Sequence, residues 1–120
     1  MGMDVIALNP VDFDNKYFRA NVWRWRGIHE FMSRACKHIY GKELDIKMAF
    51  NDGAGIPSDL TVQCADAMQG LYDSDFKSLT VWNPYPYDID SDFKDAYVIP
   101  TSRLQDWIDF VRNSGGFEVW

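Results

Sequence analysis

A chain of 120 residues and 13.9 kDa has room for one domain, residues 1–120, and none for a catalytic module beside a binding module. With 47% hydrophobic and 16% aromatic residues it is too apolar for a disordered chain, yet no apolar run approaches the roughly 18 residues of a membrane span. A net charge of −6 sets it against duplex DNA, whose binding needs several phosphates neutralised.

Residues 3–8, MDVIAL, predict a short buried strand closed by Asn9-Pro10, and VDFDNK then makes a polar turn. From about Ala20 to Tyr40 the helical period is clear. Trp25, Ile28, Met32, Ala35, Cys36 and Ile39 share one stripe, Arg26, Glu30, Arg34 and Lys37 take the other side, and Gly41 ends the helix. Ile46, Met48 and Phe50 alternate with Lys47 and Ala49, which predicts a half-buried strand, followed by a turn at Asn51-Asp52-Gly53-Ala54-Gly55. Pro57-Ser58-Asp59 starts a second amphipathic helix, in which Leu60, Cys64, Ala67, Met68 and Leu71 recur to about Tyr72. Residues 73–95 read as loop with a short strand at 79–82, and Tyr97-Val98-Ile99 is a further apolar run. Pro100-Thr101-Ser102 begins the last helix, with Ser102 and Gln105 at capping-box spacing. Leu104, Trp107, Ile108 and Val111 form its buried stripe, and Gly115-Gly116 releases a terminal strand. The expected fold is α+β, a small sheet of short strands covered by three amphipathic helices, in the order β-α-β-α-β-(β)-α-β.

Charge is unevenly placed along this order. Residues 16–47 hold eight of the twelve basic groups and net +5, whereas 48–120 net −8, with six acids between Asp73 and Asp95. Within the basic part, Tyr17, Arg19, Trp23, Arg24 and Arg26 interleave aromatic rings with guanidinium groups, a combination that anchors protein interfaces and also stacks single-stranded bases. Asp88, Asp90 and Asp92 form an acidic cluster. The sixth position counted from Asp88 is Phe93 and the twelfth is Ile99, where a calcium loop needs Gly and Glu, so the cluster reads as a solvated acidic loop or as a surface that imitates nucleic-acid charge and steers toward a basic partner.

The turn Asn51, Asp52, Gly53, Gly55 stands between a predicted strand and a predicted helix, a context that can aim backbone N–H groups at an anion such as a nucleotide phosphate. Its spacing matches neither a Walker loop nor a dinucleotide fingerprint, and Asp52 would repel a phosphate. Cys36 and Cys64 read as small core residues in a reduced compartment, and Cys36 and His38 leave a helix in different directions. No catalytic set, cofactor or metal is indicated. The start MGMDVIALNP lacks the regions of a secretory leader, Ile6 disfavours myristoylation of Gly2, and GFEVW holds no prenylation cysteine. A cytoplasmic protein with no membrane partner is expected.

Met3-Asp4-Val5, Asn9-Pro10, Tyr17-Phe18-Arg19, Asn21-Val22-Trp23, Trp25-Arg26, the Asn51–Gly55 turn and Gly115-Gly116-Phe117 together resemble a family of small uncharacterised proteins encoded by bacteriophages and bacteria. Longer members of that family look as though they carry a cysteine-rich, zinc-ribbon-like insertion before the last helix. Residues 73–97 contain no cysteine, so no metal role carries over. The resemblance implies a viral origin rather than an activity; by analogy with small acidic phage proteins, the expected role is to inhibit or redirect a host protein bearing a basic or aromatic-accepting surface. A small-ligand or nucleotide-binding protein using the Asn51–Gly55 turn, with or without hydrolysis, is the alternative.

Overall fold

Met3, Val5 and Ala7 point inward from an extended segment while Asp4, Ile6 and Leu8 point outward, and this alternation makes β1 (Gly2–Ala7) the middle strand of the main sheet. A computed structural model describes residues 2–11, 14, 16–84 and 98–120. The acidic residues Asp88, Asp90 and Asp92 lie outside the described residues. Among those described, β1 is followed by β2 (Tyr17–Asn21), α1 (Val22–Tyr40), α2 (Lys42–Lys47), α3 (Ser58–Leu71) and a π-helical turn at Tyr72–Phe76. Then come β3 (Val81–Trp82), β4 (Ile99–Pro100), α4 (Thr101–Ser114) and β5 (Phe117–Val119). The fold is α+β: a three-stranded antiparallel sheet in the order β2-β1-β5, with Val5 opposite both Phe18 and Val119, and a two-stranded antiparallel pair of β3 and β4.

Helices α1 and α4 lie on the inner face of the sheet, and α3 packs on both. Their shared core centres on Trp107, which is fully buried. Its ring meets Phe18 at 5.0 Å, Trp25 at 5.2 Å and Phe117 at 5.2 Å edge to face, and stacks on Phe110 at 5.6 Å. One edge of the sheet is paired along its length and the other is touched by a side chain. Beyond β5, Phe117 and Val119 donate to the carbonyls of Ile56 and Ala54, and Gly53 N–H donates to Val119 at 2.7 Å. On the outer edge of β2, the Arg103 guanidinium lies 4.1 Å from the centre of the Phe18 ring and donates to the carbonyl of Arg19. The paired β5 edge discourages strand addition there, and among the described residues no helix layer covers the outer face of the sheet. Among the described residues, no helix is long and apolar enough to cross a membrane.

Four expectations from the sequence are corrected. The segment 3–8 is half-buried rather than buried, because Ile6 and Leu8 fall on the uncovered face. Residues 17–21, where the sequence predicts no strand and a helix from about Ala20, form β2. The helix starts only at Val22, where the Asn21 side chain accepts the Arg24 N–H at 2.8 Å. The strand expected at 46–50 is instead the short helix α2 and a turn. Of Ile46, Met48 and Phe50 only Met48 is buried, and the buried carboxylate of Asp45 ties this stretch to α1. Finally, Ser102 does not cap α4: it is exposed, no side chain caps that helix, and Gln105 turns away to exchange hydrogen bonds with Gln69 of α3.

Candidate functional site

The outer face of the sheet carries the first group of residues singled out by sequence. Tyr17 is 46% exposed and stands opposite Ile6, while Arg19 stands opposite Asp4. Tyr17 donates its hydroxyl hydrogen to Asp4 Oδ1, and this bond, more than any other influence, pushes the phenol pKa upward. Arg19 Nε lies 3.6 Å from the same oxygen, an exposed pair of small energetic weight. Backbone pairing between Asp4 and Trp120 brings Trp120, 50% exposed, to the other side of the face. Ile6, opposite Tyr17, and Leu8 supply exposed aliphatic surface on the outward side of the same segment. The result is an aromatic and aliphatic surface holding one cation, Arg19, and two carboxylates, Asp4 paired with that cation and Glu118 opposite Ile6.

The second group lies on the first turns of α1. Because the period changes from two to 3.6 at Asn21, the exposed side chains change spacing there, from Tyr17 and Arg19 on the strand to Trp23, Arg24 and Arg26 on the helix, while Trp25 enters the core. Trp23 is 37% exposed. Arg26 lines a groove of about 160 Å³ together with Val22, Gly2, Met3, Ala49, Phe50 and Asn51. Phe50, 60% exposed, is a groove residue that sequence reasoning assigned to a strand.

The four residues of the Asn51–Gly55 turn do not converge. Asn51 faces the Arg26 groove, Asp52 is exposed, and Gly53 and Gly55 border a separate recess with Leu8, Ile56, Pro57, Phe117 and Glu118. The glycines are explained by close packing. Gly53 has φ +98°, and a Cβ on it would stand 2.8 Å from the Trp120 ring; a Cβ on Gly55 would stand 1.6 Å from the Phe117 carbonyl oxygen. The Gly53 N–H, a donor that a phosphate cradle would use, is bonded to Val119.

Sequence reasoning missed Ile6, Leu8, Phe50 and Trp120 as surface residues. A signal was present for the first two, since Ile6 and Leu8 are apolar residues in the phase of the alternation that also holds Asp4, opposite to the buried Met3, Val5 and Ala7. Nothing comparable marks Trp120, which is placed by the pairing of its backbone with Asp4. Among the described residues, no three of His, Cys, Asp and Glu are arranged to hold a metal ion. Comparison with known proteins finds no matching family model, no matching curated protein and no matching solved structure.

Proposed function

We propose that this protein is a non-enzymatic interaction protein that docks on a host protein and inhibits or redirects it, using the open sheet face and the first turns of α1. The observation that carries this reading is the set of exposed rings and aliphatic side chains, Ile6, Leu8, Tyr17 and Trp120, on the outer face of the sheet. Soluble chains seldom leave such surface contiguous without a use for it, and aromatic residues and arginine are the side chains that most often anchor interfaces. The net charge of −6 favours encounter with a partner of opposite sign, and Asp88, Asp90 and Asp92 concentrate it. The viral resemblance makes a host protein the partner class and the host cytoplasm the compartment.

Affinity capture from host extract with the wild-type chain and with the double variant Tyr17→Ser, Trp23→Ser tests this reading. A host protein held by the wild type, and bound at least roughly tenfold more weakly by the variant when both are purified, supports it, as loss of one or two anchor residues predicts. Equal binding by the two chains contradicts the assigned surface.

A further inference from the structure

Cross-strand pairing sets the outward residues of β1 and β5 in a fixed order. Asp4 exchanges backbone hydrogen bonds with Trp120, Ile6 stands opposite Glu118, and the Leu8 N–H donates to the Gly116 carbonyl at 2.8 Å. The segment paired beyond β5 brings Gly53 and Gly55 to this edge, and neither has a side chain to fill the space near Glu118. A recess of about 230 Å³ results, with Leu8, Ile56 and Pro57 as apolar walls and Glu118 as the one charged residue lining it. It is smaller than the roughly 300–1,000 Å³ of sites for drug-sized ligands, and its size suits one long side chain. Among the described residues, the Glu118 carboxylate has neither a hydrogen bond nor an ion pair, although the residue is half-buried. Arg19 is engaged by Asp4 at 3.6 Å, and β1 separates its strand from β5. Two residues beyond Glu118, the Trp120 ring rests against Gly53, where a Cβ would stand 2.8 Å from it, and half of the residue remains exposed.

We propose that this recess receives an arginine side chain of the partner protein, its guanidinium paired with Glu118 and laid against the Trp120 ring. The proposal rests on the docking reading for the origin of that arginine. A guanidinium suits both neighbours, because its planar fork donates two parallel hydrogen bonds to one carboxylate while its face stacks on an aromatic ring; a lysine ammonium brings only a point charge. Residues two apart on a strand are roughly 7 Å from each other, so one side chain reaches both Glu118 and Trp120. The apolar stem of the arginine covers Leu8, Ile56 and Pro57. The chain makes the same ring contact internally, with Arg103 4.1 Å from the centre of Phe18 and Arg34 5.4 Å from that of Trp82. A basic partner segment also matches the net charge of −6.

The test is an NMR titration of the folded protein with a capped Gly-Arg-Gly peptide and with its citrulline counterpart, which keeps the shape of arginine and lacks the charge. The expected result is saturable shifts of the Gly53, Gly55 and Glu118 amides and of the Trp120 indole N–H. Binding of the citrulline peptide is expected to be roughly tenfold or more weaker, and that difference is expected to vanish in Glu118→Gln. Equal binding of the two peptides, an absence of shifts, shifts centred elsewhere, or an arginine preference kept by Glu118→Gln would overturn the proposal. Should Glu118→Gln fail to fold, the comparison of the two peptides on the wild type decides. No host protein enters this titration, so its failure leaves the docking role of Tyr17 and Trp23 standing, while failure of their capture experiment leaves the peptide result intact.

Discussion

Single side chains in this protein are constrained most tightly where backbone meets backbone. Gly55 is the clearest case, since a methyl group there would overlap the Phe117 carbonyl and force β5 away from its neighbour. Gly55→Ala is expected to destabilise the fold by about 3 kcal/mol or more, read as a shifted urea midpoint; an unchanged midpoint would show that the turn can move aside. Tyr40 is constrained by chemistry. Burial first, and then the Asp45 acceptor, raise its pKa well above the ordinary 10.0. A raised phenol pKa contributes stability below pH 10, and this is lost above it, because the unfolded chain ionises there while the native Tyr40 stays neutral. Native-state absorbance of tyrosinate is therefore expected to be the same in Tyr40→Phe and wild type until unfolding, and the alkaline decline in Tm shallower in Tyr40→Phe. A native titration curve short of one tyrosine in that variant would contradict this.

At the scale of elements, what sequence could show depended on whether the buried stripe was apolar. Stripes of large side chains in α1, α3 and α4 make those helices legible directly, and Gly115-Gly116 marks the start of β5. α2 was not legible, because its one buried residue is an aspartate and its apolar Ile46 faces solvent, so the alternation of Ile46, Met48 and Phe50 suggested a strand. β2 was obscured by the helix that follows without a break. Asn21 is the divider, and Asn21→Ala is expected to cost about 1 kcal/mol in chemical denaturation through loss of the cap to Arg24. No measurable cost would mean that tertiary packing alone fixes the start of α1. The interleaved rings and arginines of the candidate site were legible as residues, but their division into a sheet face and a helix turn was not, because that depends on where the period changes.

Among the described residues, one face of the main sheet is thoroughly packed and the other is exposed. Trp107 and its ring of Phe18, Trp25, Phe110 and Phe117 join sheet to helices, whereas Ile6, Leu8, Tyr17 and Trp120 contribute little to that core from the uncovered face. Replacing Ile6 and Leu8 together by Ser is therefore expected to change unfolding free energy by less than about 1 kcal/mol while weakening partner binding. A large loss of stability would instead make these two residues part of the core. The most direct measurement of the docking account is photo-crosslinking in host cells, with benzoylphenylalanine placed at position 23 or at Val62, an exposed residue of α3. One discrete crosslinked host protein is expected from position 23 and none from position 62; adducts of equal yield from both, or none from position 23, would contradict docking through this surface.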